Sequence, residues 1–169
     1  MILLGVGGVS VALDQWTKWW VRANIPFGGQ WLPDGLLWLS PYARMVHWYN
    51  SGAAFGIFQN GNQVFMILAF VVIGAILFYY PQVGNDWTLK LAMGLQLGGA
   101  IGNLIDRLAM GKVTDFISIG AFPVFNIADA SISVGVAVLL LSVWLREREE
   151  KLRAAGTAEK SAAETAKEG

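Results

Sequence analysis

Four long apolar runs set the pattern of the chain. They cover Met1 to about Val21, about Gln63 to Tyr80, about Trp87 to Ile105, and about Ile127 to Leu145. Each approaches the roughly 20 mainly apolar residues that a helix needs to cross a bilayer. Read as spans, they predict an all-α integral membrane domain over residues 1–146. The segment 22–62 is too long for a simple turn and is rich in Trp, Pro and Gly. Within it, "ARMVHWYN" alternates apolar and polar positions, which predicts a short strand or two. The segment therefore reads as a small β-containing platform. Its Trp31, Trp38, Trp48 and Tyr42 suit a headgroup layer, where a ring has one apolar and one wet side. The stretch "PYARMVHWYNSGAAFGIF" leads the chain back into the second span. The first run is not read as a cleaved signal peptide, because no basic region precedes it and three further runs follow.

Composition strengthens the membrane reading. Of 169 residues, 55% are hydrophobic and 14% charged, against about 25% charged in a soluble domain. No Asp, Glu, Lys or Arg occurs from Met45 to Asn85. The formal net charge is zero, so no basic surface for nucleic acid is expected. There is no Cys and a single His, His47, too few ligands of those types for a zinc site. No metal or cofactor is expected. Residues 147–169 have almost no large apolar side chains and cannot bury a core. They are expected to continue the last helix and then fray into a partly disordered, charged tail. Arg146, Arg148, Lys151 and Arg153 lie just beyond the fourth run, which places that tail on the cytoplasmic side. Four spans then put the N-terminus inside as well. Segments 22–62 and 106–126 fall on the outer side, and "PQVGND" between the second and third spans on the inner side.

Polar residues inside or beside such spans are functional candidates. Asp14 and Lys18 are four apart, on one helix face, where they can pair as a structural ion pair. Asn50 and Gly52 open "NSGAAFG", whose small residues allow close backbone approach. Gly94, Gly98 and Gly102 form a smooth stripe for helix packing. That stripe leads to Asn103, Asp106 and Arg107 at the outer end of the third span. Asp106 and Arg107 are adjacent and cannot share a face, so the motif is expected to end the helix and tie down the next loop. Asp115 is expected in that loop. Asn126 suits the N-cap of the fourth helix, and Asp129, three residues on, gains from the helix dipole.

Asp115 and Asp129 together say more than either alone. Both fall at the outer membrane edge on a short connection. Two carboxyls that approach each other cannot both ionise cheaply and share a proton. One can then act as general base on a water and the other as general acid. Other hydrolytic machinery is missing from the chain, which holds neither the G-x-S-x-G of a serine nucleophile nor the H-E-x-x-H of a zinc protease. An intramembrane aspartic hydrolase is one reading on these grounds. A non-catalytic small transporter or assembly protein with ion-binding aspartates is another.

The motifs "DQWTK" (14–18), "NSGAAFG" (50–56), "GGAIGNLIDR" (98–107), "VTDF" (113–116) and "FNIADASI" (125–132), in this order and spacing, resemble those of lipoprotein signal peptidase, also called signal peptidase II. The resemblance covers Asp14 to about Leu145 and leaves out the tail. The N-terminal flank is shorter than usual for the family, which bears only on the start of the first span. The resemblance implies a bacterial cytoplasmic-membrane enzyme of four spans. Its substrates would be diacylglyceryl-modified prolipoproteins, cut just before the lipidated Cys. It places the catalytic dyad on Asp115 and Asp129. It assigns support or substrate contact to Asp14, Lys18, Asn50, Gly52, Asn103, Asp106, Arg107 and Asn126. It also implies inhibition by the cyclic peptide globomycin and contact with membrane lipid. A closed four-span bundle is expected to be able to work as a monomer.

Overall fold

The computed structural model describes residues 1–52 and 61–168. Among the described residues, four α-helices carry the chain: α1 (Ile2–Asn24), α2 (Asn62–Tyr79), α3 (Trp87–Met110) and α4 (Ile127–Glu168). Three strands complete it: β1 (Gln30–Trp31), β2 (Ala43–Asn50) and β3 (Val113–Ile119), in one antiparallel sheet of order β1-β2-β3. α4 runs on through the charged tail to Glu168. Residues 53–60, which hold most of the "NSGAAFG" motif, lie outside the described residues.

Among the described residues, two helices are long and apolar enough to cross a membrane by length and composition, Asn62–Val83 and Ile127–Glu149. α1 and α3 are as long, at 23 and 24 residues. They fall short in apolarity because each carries a polar inner face. On α1 that face is Ser10, Asp14 and Lys18, all buried, while Leu4, Val9, Leu13, Trp16 and Trp19 point outward. The largest fully buried side chains of the described residues include Lys18, Asn126, Thr114, Asp14, Asp106 and Asp115. Soluble proteins almost never bury such groups in number while exposing rows of large apolar residues.

α3 is the central helix and packs on α1, α2 and α4. The glycine stripe makes this possible. A Cβ on Gly94 would stand 2.9 Å from Val6 Cβ, and one on Gly98 would stand 2.6 Å from Ser10 Cβ. On its other side, a Cβ on Gly99 would run into the backbone oxygen of Ala128 on α4. Removing side chains at these points lets backbones close to a distance no larger residue allows.

Two differences from the sequence expectation concern the segment after α3. The helix does not end at Asp106. It continues to Met110 and stops at Gly111, whose φ of 71° is the left-handed cap that glycine adopts without strain. Asp115 is not in a loop but on β3. The strand escapes a pattern search because six of its seven residues are buried or half-buried on both faces, leaving no alternation to read. β2 falls on the expected residues 43–50.

Candidate active site

β3 returns against β2 with Asn50 opposite Val113 and Trp48 opposite Asp115. Residues two apart on a strand share a face, so Asn50 and Asp115 meet diagonally. Asp115 is 2% exposed. Asn50 Nδ2 donates to one of its oxygens at 3.1 Å and Asn126 Nδ2 to the other at 2.7 Å. Asn50 cannot flip, because its Oδ1 accepts the Gly52 N–H at 2.9 Å, which leaves the amide nitrogen to face the carboxylate.

Asp129 reaches the same place from the start of α4. Its N–H donates to Asn126 Oδ1 at 2.9 Å, and its Oδ2 accepts the Asn126 N–H at 3.2 Å. This reciprocal cap explains why an Asn three residues before an Asp starts the helix here. Asp129 Oδ1 accepts Asn103 Nδ2 at 2.7 Å. The turn from β3 back to α4 is closed by Phe125 N–H donating to Ile117 O at 3.1 Å and Ile117 N–H to Phe125 O at 2.8 Å.

Beneath this layer lies Lys18, fully buried. An ammonium has three donors and no acceptor. Lys18 Nζ spends them on Asp14 Oδ2 at 2.8 Å, Asn103 Oδ1 at 3.0 Å and Asp106 Oδ2 at 3.4 Å. Since only an oxygen can face Lys18, the Asn103 amide nitrogen is turned to Asp129. Asp14 Oδ1 accepts the Ala128 N–H at 2.9 Å, tying α1 to the first turn of α4. Asp106 Oδ2 accepts the Thr114 N–H at 2.9 Å, tying α3 to β3. Asp14 and Lys18 do pair as a structural ion pair, and Asp106 does tie down the chain that follows α3.

A cavity of about 670 Å³ opens onto the two carboxyls. Asn50, Gly52, Asn103, Arg107, Asp115 and Asp129 line it, whereas Asp14, Lys18, Asp106 and Asn126 stand behind. Its other walls are mainly apolar and come from α2, α3, β3, residues 122–125 and α4, with Phe65, Leu68, Val72 and Ala100 among them. Arg107 places its guanidinium over the Phe65 ring at 5.2 Å. Gln15 and Thr114, which lie within the quoted motifs but were not singled out, and Arg22, which lies outside them, belong to the support. Gln15 Nε2 donates to Gly102 O at 2.9 Å, and Arg22 Nη1 donates to Thr114 Oγ1 at 2.9 Å while lying 3.6 Å from Asp106 Oδ1. Arg22 and Gln15 sit on the same helix end as Lys18, which is the signal that could have found them.

Burial pushes the Asp115 carboxyl up to about 7, and the Asp129 charge adds to the rise. The amides of Asn50 and Asn126 and the charge of Lys18 oppose it. A carboxyl so placed is half protonated near neutrality, beside a second acid, facing an apolar cavity. That is an arrangement able to take and return a proton.

A helical frame with one buried and one half-buried carboxyl on the wall of a mainly apolar cavity defines the class, a membrane-embedded enzyme-like fold. The solved structures agree. The chain is similar to a bacterial membrane enzyme determined by the in meso method at 2.3 Å resolution, with a TM-score of 0.75, 26% identity, and coverage of 84% of this chain and 87% of that one. A second such enzyme, at 1.9 Å, gives a TM-score of 0.72 at 26% identity over 83% of this chain and 91% of that one. By sequence, the profile of the family Signal peptidase (SPase) II matches residues 6–145. The lipoprotein signal peptidase of Shouchella clausii is 40% identical over 147 residues, covering 85% of this chain and 93% of that protein. That of Halothermothrix orenii is 42% identical over 140 residues, covering 83% and 93%. The chain belongs to the signal peptidase II family.

Proposed function

We propose that this protein is a membrane aspartic endopeptidase that removes the signal peptide from diacylglyceryl-modified prolipoproteins. In this reading it cuts the bond just before the lipidated Cys, with Asp115 and Asp129 as its acid–base pair. The observation that carries it is the shared partner, Asn126, which holds both carboxyls on the wall of one cavity. One carboxyl is ionised and takes a proton from water as that water attacks the scissile carbonyl. The other is protonated and gives its proton to the leaving amine. Acid and base are roles of the pair, not of a named member. Arg107 and Asn50, which face the cavity, are the groups placed to orient the peptide or steady the developing oxyanion. Asn103 and Asn126 orient the carboxyls. Asp14, Lys18 and Asp106 hold those amides in place.

All four helices would cross the membrane, with both termini cytoplasmic and the pair at the outer face. The outward apolar rows of α1 support this, as does the inward burial of its charges. The sheet would lie at the headgroup level, with Trp38, Tyr42 and Trp48 exposed. A substrate held by its own signal helix and lipid presents its cleavage site at this depth, which is why carboxyls belong there. Globomycin would compete for the same cavity.

The test is cleavage in detergent of a diacylglyceryl-modified prolipoprotein beside its unmodified precursor. Cutting of the lipidated form alone, lost in folded Asp115→Asn and Asp129→Asn proteins, supports the reading. A folded wild type that cuts neither form sinks it. Cleavage that survives either Asn variant keeps a peptidase but dissolves the pair.

A further inference from the structure

Gln96 is a polar side chain that neither the acid pair nor its support uses. It lies on the same face of α3 as Asn103, seven positions earlier and so about 10 Å along the helix axis, away from the acid layer. It lines the same cavity, whose lining also includes Leu68, Ala69, Val72, Ile132 and Val134. Among the described residues its carboxamide has no hydrogen-bond partner. Space has been made for it. A Cβ on Gly135 of α4 would stand 2.8 Å from Gln96 Cγ and 2.9 Å from Ala92 O. A carboxamide turned into an apolar cavity at membrane depth is costly unless something there pairs with it.

We infer that Gln96 pairs with a main-chain peptide group of the bound signal segment, on the N-terminal side of the bond to be cut. The inference rests on the function proposed above. A carboxamide offers the same donor and acceptor as a peptide group. A segment unwound for cleavage exposes both in a place with no water to satisfy them. An extended chain advances about 3.3 Å per residue, so 10 Å corresponds to about three residues from the scissile bond. The signal segment runs from the acid layer into the membrane, which is the direction in which Gln96 lies. Gln96 is thus a specificity-determining residue. It lets the groove accept a locally extended peptide where purely apolar walls would favour an intact helix.

The experiment uses the full chain in detergent with a lipidated prolipoprotein peptide. Gln96→Met, which keeps length and packing against Gly135, is expected to raise KM about ten-fold and leave kcat nearly unchanged, the mark of lost ground-state binding. Substrates carrying a single ester in place of a peptide bond, moved from two to five residues ahead of the cleavage site, locate the contact. Wild type should weaken at one position, and there Gln96→Met should add nothing further. Unchanged KM in a folded Gln96→Met protein overturns the inference while wild-type cleavage leaves the proposed function standing. So do ester costs that simply add at every position. Non-additivity with an ether-linked lipid instead would assign Gln96 to the lipid and overturn the peptide contact. Should Gln96→Met not fold, Gln96→Leu takes its place, and a wild type blind to every ester position is decisive by itself. A wild type that cleaves nothing brings down the proposed function and this inference together.

Discussion

Asn126 donates its side-chain amide to Asp115 at 2.7 Å while its backbone N–H reaches Asp129 at 3.2 Å, so one residue sets the spacing of two acids that arrive on different elements. Asn126→Ala should therefore release Asp115 and uncap α4 at once. We expect turnover to fall by about 100-fold and stability by about 1 kcal/mol for the lost cap. Single-turnover cleavage and thermal melts would separate the two effects. An Asn126→Ala enzyme with wild-type turnover would remove the shared-partner argument.

Asp115→Asn and Asp129→Asn should each lower turnover by about 10³-fold or more, and the double variant should be no worse than the worse single one. Groups that act as a unit are strongly non-additive. Additive losses would show two independent roles.

The raised Asp115 carboxyl makes a signed pH prediction. Its ordinary value is 3.8 and its folded value about 7. Between these, the unfolded chain releases a proton that the folded protein keeps, so stability is greatest at the acid end and declines as pH rises towards 7. Tm should fall across that window and level off above it, and the slope should flatten in Asp115→Asn. Turnover should decline as pH climbs beyond about 7, when Asp115 loses its proton. A Tm independent of pH from 4 to 7 would contradict the assignment.

Lys18→Met leaves Asp14 and Asp106 buried and without their common cation. Removing one partner from such a cluster costs about 3–5 kcal/mol. We expect the Lys18→Met protein to melt far below wild type. Arg22→Met, at a group only about a quarter exposed but on the rim of the cluster, should cost much less. Equal melting of Lys18→Met and wild type would mean the buried network contributes little.

Gly98→Val would drive side-chain atoms into Ser10 Cβ and Gly7 O, which a Cβ alone approaches to 2.6 and 2.7 Å. Overpacking of this kind typically costs about 1–3 kcal/mol. The strain also parts α1 from α3, so activity should drop with stability. Gly74, which has open space around it, provides the control, and Gly74→Val should be silent in both assays.

Much of this is readable along the chain, because the signals concerned are local. Apolar runs bound α2 and the apolar part of α4. Period-two alternation marks β2. An Asn–Asp spacing of three marks the cap of α4, and a four-residue glycine spacing marks the packing face of α3. The motifs are enough to name the family. What tertiary structure alone decided is non-local. β3 shows no alternation because both its faces are covered, and only its pairing with β2 makes it a strand. α3 runs past Asp106 because its stop signal is the glycine at 111 and not the charged pair before it. Nothing local foretells that Lys18 spends its third donor on Asn103, 85 positions away, and so turns that amide to Asp129. Charges can be buried only where every donor finds an acceptor, and that accounting closes only when α1, α3, β3 and α4 are packed together.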